Sequence, residues 1–330
     1  MRDTQQLRAG LGLRRGLMAE LLDSAQGSVD FLEAAPENWI GVGGRLGRQF
    51  RELSERLPLF CHGLSLDLGG TAPLDLGLLR EISRFLDRSQ AVLYSEHLSA
   101  CADDGHLYDL MPLPFTGECV RRVAERIRIV QDVIGRPLVI ENVSAYARLP
   151  GEMSESAFVC AVLEEADCSL LLDVNNVHVN SVNFGFDADA YVDAIPRERI
   201  ACLHVAGHWE ESPALKIDTH GAPVADPVWA LLEHVYASCG IRPTLLERDF
   251  NLPPVSDLYA EIARIRGTQS RVAQQRSIAA CAAATLAAIV WRRKIPLLSL
   301  HGAAAGHFGP RDDGRLGFTS IELEVTAETD

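Results

Sequence analysis

Eight short apolar runs, each followed by a polar loop and a stretch of helical periodicity, predict a (β/α)8 TIM barrel with a C-terminal extension. The runs are Leu11–Leu13, Asp30–Ala34, Pro58–Leu66, Ala91–Leu98, Pro137–Val143, Ser169–Val174, Ile200–Val205 and Pro243–Glu247. They recur between residues 11 and 267, close to the roughly 250 residues such a barrel uses. They are also almost continuously apolar (LPLF, AVLY, PLVI, SLLL), which suits parallel strands buried on both faces.

The segments between the runs support helices. The clearest carries Val120, Val123, Ile127, Val130 and Ile134 at alternating spacings of three and four, with Thr116 as N-cap and Gly135 as the stop. Another follows Ser154, with Phe158, Val159, Val162 and Leu163 on one face. The alternative is a doubly wound open sheet, which has fewer strands and often a Gly-rich phosphate turn. The only glycine cluster, GVGGRLG at 41–47, does not match GxGxxG and reads as a plain loop. The barrel domain is therefore assigned to residues 1–267.

Residues 268–330 form the extension, helical and then irregular. Within it SIAACAAATLAAIVW (277–291) is apolar and Ala-rich, then stopped by Arg292, Arg293 and Lys294. Its 15 residues fall short of the ~20 that span a bilayer, so it reads as a helix packed on the barrel or a partner. The last stretch, 301–330, reads as a hairpin or as irregular chain.

Composition narrows the function. With 330 residues, 47% of them hydrophobic and 23% charged, the chain is globular rather than disordered. A net charge of −14 argues against binding nucleic acid by phosphate neutralisation. Eight scattered cysteines without a CxxC read as reduced thiols of a cytoplasmic protein. The start, MRDTQQLRAG, has no apolar core behind a basic segment, so no signal peptide is expected. GxSxG, Walker and HExxH motifs are absent, and Cys61 and Cys202 sit inside apolar runs as core thiols.

What ends each run is informative, because barrel chemistry collects at strand C-termini. The second run ends in Glu33, Glu37 and Asn38; the third in His62; the fourth in Glu96 and His97; the fifth in Glu141 and Asn142. The sixth ends in Asp173, Asn175, Asn176 and His178, the seventh in His204 and His208, the eighth in Glu247 and Asp249. A loop before the eighth, KIDTHG, adds Asp218 and His220. Charges on strands buried on both faces are costly unless paired or bound to metal.

Converging carboxylates repel and shift one another's pKa, and cations resolve that conflict. A His/Asp/Glu set without cysteine favours iron, manganese or zinc, and carboxylates that bridge suit a multinuclear centre. His62, His97, Glu141, Asp173, His204 and Glu247 are the candidate ligands. Asp218 and His220 can both reach one ion from a loop, against an Asx-type turn before Gly221 as the plainer reading. His178 and His208 read equally as ligand support or as peptide contacts. Glu33 and Glu96 read as acceptors that fix the tautomer of a ligating imidazole. His106, His234, His301 and His307 lack strand-end context and read as surface residues.

PENW, CHGLSLDLGG, SEHLS, DLMPLPF, ENVSAY, EMSE, LLLDVNNVHVN, LHVAGH, IDTHGAPVADPVW and TLLERD occur in that order. Together they closely resemble the multinuclear non-haem iron-dependent oxidative enzymes, over roughly residues 10–266. That family includes the iron enzyme of methanobactin biosynthesis. The resemblance implies a TIM barrel with two or three irons, cycling between Fe2+ and Fe3+. It implies His62, His97 and Glu141 on one iron, and Glu141 as a bridge with Asp173, His204 and Glu247 on a second. Asn176, Asp218 and His220 would supply a third, more labile position. Glu141, Asp173, His204 and Glu247 would be the catalytic set.

The implied activity is dioxygen-dependent oxidation of a residue, most often cysteine, in a ribosomally made precursor peptide. A small partner protein that binds the peptide's leader is implied as well; neither nucleic acid nor membrane is expected. The tail after 267 departs from the family pattern. The competing readings are a zinc or manganese sugar isomerase or phosphoesterase on the same barrel, and a non-enzymatic metal or peptide-binding module.

Overall fold

Eight parallel strands close on themselves in the chain's first unit, and two hairpins interrupt their sequence. In order they are β1 (Ala9–Gly12), β2 (Phe31–Ala34), β3 (Leu59–Gly63), β4 (Leu93–His97), a hairpin of β5 (Ala100–Ala102) and β6 (His106–Met111), β7 (Val139–Glu141), β8 (Ser169–Asp173), β9 (Ile200–Val205), a hairpin of β10 (His208–Ser212) and β11 (Leu215–Asp218), and β12 (Thr244–Leu246). The barrel runs β1-β2-β3-β4-β7-β8-β9-β12, with β12 pairing back onto β1. This is a TIM barrel, as the eight runs predict. The computed structural model describes residues 9–24, 27–102, 105–292, 306–310 and 316–321. The chain divides into two compact units, Met1–Arg276 and Ser277–Asp330.

The helices are α1 (Met18–Asp23), α2 (Gly44–Arg56), α3 (Leu76–Ser89), α4 (Gly117–Ile134), α5 (Glu155–Ala166), α6 (Val174–Phe184), α7 (Ala188–Ala194), α8 (Asp226–Cys239) and α9 (Val255–Arg292). Their ends follow local chemistry. The Thr116 hydroxyl accepts the Cys119 N–H, and Gly135 leaves α4 in the left-handed region at φ 68°. Ser154 caps α5 by accepting the Ala157 N–H. GVGGRLG is only half loop, because α2 already starts at Gly44. A Cβ at Gly47 would strike the Val42 carbonyl, so close backbone approach explains that glycine.

Side chains alternate across the strands and sort into two cores. The larger one lies between sheet and helices and holds Leu11, Leu32, Cys61, Tyr94, Ile140, Leu172, Leu203 and Leu246. The smaller one fills the barrel and is built from Phe31, Phe60, Val139, Leu171, Cys202 and Leu245, with Leu93 against it. Phe31 and Phe60 stack with ring centroids 4.3 Å apart. β1 contributes no side chain to that layer, since a Cβ on Gly10 would collide with the Phe31 ring.

In the second unit, β13 (Gly306–Pro310) and β14 (Leu316–Ile321) pair antiparallel. Among the described residues no helix is long and apolar enough to cross a membrane. The expectations for the first eight residues, for His301, and for 293–305, 311–315 and 322–330 lie outside the described residues.

Candidate metal centre

Two residues beyond the apolar barrel layer, the same strands turn ionisable. Phe31 is followed by Glu33, Phe60 by His62, Val139 by Glu141, Leu171 by Asp173, Cys202 by His204 and Leu245 by Glu247. A period of two puts each pair on one face of its strand, so the second member also points into the barrel. Register brings neighbours together: His97 lies beside Glu141, and Asp173 beside His204. All of these side chains except His97 are buried.

The side chains assemble into three groups, each of which could hold one ion: His62, His97 and Glu141; Glu141, Asp173, His204 and Glu247; and His220, Glu247 and Asp249. In the first, His62 Nε2 stands 3.0 Å from His97 Nε2 and 3.1 Å from Glu141 Oε2, and His97 Nε2 is 3.3 Å from that oxygen. Donors bound at about 2.1 Å to one ion stand roughly 3.0–3.4 Å apart, so this triangle has the spacing of a ligand face.

The tautomers fit too. His62 Nδ1 is 2.8 Å from the Ser95 hydroxyl, which itself donates to the Cys61 carbonyl at 3.4 Å. The ring therefore donates outward through Nδ1, which leaves Nε2, facing Glu141, as the nitrogen an ion would take in place of its proton. His204 mirrors it. Nε2 meets Glu33 Oε2 at 3.1 Å, while Nδ1 faces Glu141 Oε1 at 3.2 Å and Glu247 Oε2 at 3.1 Å. Asp173 spends Oδ1 on capping α6 through the Asn176 N–H, 2.6 Å, and leaves Oδ2 buried and unpartnered. Unpaired buried donors of this kind are expensive unless an ion takes them, so the donor set fits a metal centre.

Electrostatics point the same way. Burial and the Glu141 and Asp218 charges push the Asp173 carboxyl well above its usual range. Burial also works against ionised Glu141, yet the facing His62 and His204 imidazoles hold it well below the usual carboxylate range. Burial would lower His62, but Glu141 outweighs it and raises the imidazole to about 9. Protons thus do in this centre what a cation would do better.

The third group departs from the expected trio. His220 Nδ1 is 3.0 Å from Asp249 Oδ2 and 3.6 Å from Glu247 Oε2, while Asp218 Oδ1 sits 2.7 Å from the other ring nitrogen. Asn176 spends its amide on the Asn142 carbonyl at 3.1 Å, and its side-chain oxygen stays buried without a partner. Arg14, which no strand-end reading singled out, holds the outer oxygens: its Nε donates to Asp249 Oδ1 at 2.7 Å and its Nη2 to Glu247 Oε1 at 3.3 Å. The usable signal was the spacing of Gly10, Gly12 and Arg14, the side-chain period of β1 where it meets the last strand.

The supporting residues divide. Glu33 holds His204, but Glu96 stands 3.6 Å from His97 Nδ1 without a hydrogen bond and takes the Tyr94 hydroxyl instead, at 3.2 Å. Glu37, nearby, is pushed up to about 7 by burial and the Glu96 charge. His208 bonds Asn175 Oδ1 at 2.8 Å, and Asn175 donates to Asp218 Oδ1 at 2.8 Å, so His208 reaches the centre only through Asn175. His178 packs against His208 with centroids 5.1 Å apart. His106 is exposed, and His234 pairs with Asp193 at 2.8 Å, away from the centre.

Known proteins share this architecture. Endonuclease IV from Thermus thermophilus matches with a TM-score of 0.55 at 16% identity, over 80% of this chain and 99% of that one. D-psicose 3-epimerase from Clostridium cellulolyticum matches at 0.53 and 12%, over 82% and 99%. At such identities the likeness is one of fold. Sequence relatives are much nearer. A UPF0276 protein of Pseudomonas aeruginosa is 70% identical over 272 residues, covering 82% of this chain and 96% of its own length. One of Shewanella loihica is 56% identical over 269 residues, 82% of this chain and 97% of its own. Residues 8–270 match the family described as RiPP precursor modification enzyme MbnB/TglH/ChrH, and the chain belongs to that family.

Proposed function

We propose that the protein is a dioxygen-dependent multinuclear iron enzyme that oxidises a residue, cysteine foremost, of a ribosomally synthesised precursor peptide. The observation that carries the reading is Glu141, whose two oxygens face two different ligand groups. His62, His97 and Glu141 hold one iron, and Glu141, Asp173, His204 and Glu247 a second. His220 with Asp218 or Asp249, and the unpartnered Asn176 oxygen, serve a third position. Bound iron supplies the redox chemistry with dioxygen that none of these side chains has.

The chain's own residues do the rest. Ser95 and Glu33 orient the imidazoles, and Arg14 offsets the charge of Glu247 and Asp249. The apolar layer beneath keeps water from the floor of the site. On the connections that follow barrel strands stand the exposed apolar side chains Met111 (45%), Tyr146 (48%), Trp209 (59%) and Phe250 (66%). Exposed apolar side chains on these connections suit a peptide better than a sugar. A small protein that binds the leader completes the working assembly, in the cytoplasm.

The test is elemental analysis of tag-free protein purified without added metal, followed by anaerobic ferrous loading. Two to three irons per chain, with dioxygen uptake on adding a cysteine-bearing precursor, is the expected result. Zinc or manganese at that stoichiometry, with no ferrous uptake, overturns it in favour of an isomerase or phosphoesterase.

A further inference from the structure

Beside the candidate metal centre lies a cavity of about 560 Å³ that none of the ligand groups lines. That volume falls within the roughly 300–1,000 Å³ of sites that hold small ligands. Its inner wall is the segment from Asn142 to Ala145, which follows Glu141 directly. Asn142 ties that wall to the centre, accepting the Asp173 N–H at 2.9 Å and donating to the Asp173 carbonyl at 3.0 Å. Leu113, Phe115, Met153 and Phe158 make the body apolar. The outer rim is exposed at Ala147, Leu149 and Ala190.

One end of the cavity is polar. Asn180 donates to both Glu155 oxygens at 3.2 Å, and its own oxygen accepts the Ala145 N–H at 2.8 Å. Tyr191, only 4% exposed, brings its hydroxyl to the same end, beside the Glu155 carboxyl. Burial and the neighbouring Glu155 charge hold that phenol protonated, and burial pushes the Glu155 carboxyl up to about 7 despite Asn180. The cavity therefore offers a carboxyl and a phenol hydroxyl side by side between apolar walls. A peptide unit has the complementary pair, one N–H and one C=O.

We propose that this cavity takes two consecutive apolar residues of the precursor peptide, beside the residue being modified, with their shared peptide bond held between Glu155 and Tyr191. The occupant rests on the peptide-modifying reading above. The cavity's continuity with Glu141 through residues 142–145 is what places those residues next to the reacting one.

The test uses the full chain labelled with 13C at its methionine methyls and titrated with N-acetyl-Leu-Phe-amide. Met153 lines the cavity, whereas Met18 is buried in the outer core. The Met153 methyl should shift saturably while Met18 does not move. Ala190→Trp, at an exposed position of α7, should weaken binding at least tenfold by filling the rim. Tyr191→Phe should weaken it about threefold to tenfold by removing one hydrogen bond. A Met153 methyl that does not move, or affinity unchanged in both variants, overturns the assignment. Iron content measured on the same samples separates the two readings: a chain that binds the dipeptide but no iron keeps the cavity and overturns the proposed function.

Discussion

Phe60 and His62 point the same way from one strand, two residues apart, yet they belong to different worlds. The layer of Phe60 is a closed packing of rings and aliphatic groups. The layer of His62 is packed just as tightly with groups that repel, donate or go unsatisfied. The first needs only volume to be stable. The second needs charges to cancel, and its own imidazoles cancel them only in part. The barrel thus stores the energetic cost of the upper layer on the security of the lower one.

That contrast can be broken at several points. The largest effect belongs to Glu141→Ala, which removes the oxygens shared by two ligand groups. Loss of an orienting partner typically weakens metal binding about 10–100-fold, and loss of a shared ligand should exceed that at both inner positions. Full iron occupancy in this variant, by elemental analysis, would remove Glu141 from the centre.

Next comes the lower layer. Phe60→Ala takes away the ring stacked on Phe31 and should cost about 3–5 kcal/mol in urea unfolding of the metal-free chain. A cost below about 1 kcal/mol would mean that the layer collapses freely and is not the support described.

A pH titration sharpens the comparison further. His62 is raised from 6.5 to about 9, so its pairing with Glu141 stabilises the metal-free fold fully below pH 6.5 and is lost as pH rises through 9. An ion has to displace that proton. Metal uptake in weak buffer should release about one proton from His62, with affinity rising up to tenfold per pH unit until about 9. Affinity independent of pH between 6 and 8 would contradict it. The smallest effect belongs to His234→Ala. It breaks a half-exposed pair with Asp193, should cost less than about 1 kcal/mol, and should leave metal content unchanged.

Much of this was legible from the chain alone, for physical reasons. Apolar runs mark strands buried on both faces, and a polar residue that ends such a run has nowhere to go but the mouth. That logic located His62, His97, Glu141, Asp173, His204 and Glu247 without a structure. It could not locate the two hairpins, β5–β6 and β10–β11, which have no barrel core to impose an alternating pattern on them. Nor could it find the pairing of Arg14 with Asp249, 235 residues apart, because that contact exists only where β1 and β12 meet. Asn176 was legible as a residue near the centre, but whether its amide or its oxygen faced inward depended on the Asn142 carbonyl.

Closure of the barrel also fixes an order of assembly. The donors His62, His97 and Glu141 are all present once residue 141 has been synthesised, on strands that neighbour one another in sequence. The remaining groups wait for Glu247 and Asp249, and Arg14 joins them only when the first strand zips onto the last. Pairings so distant in sequence form slowly, because their loop entropy is spent before any contact rewards it. A nascent chain therefore carries the first ligand group alone while residues 142–249 are added, and completes the other two in the same event that finishes the fold.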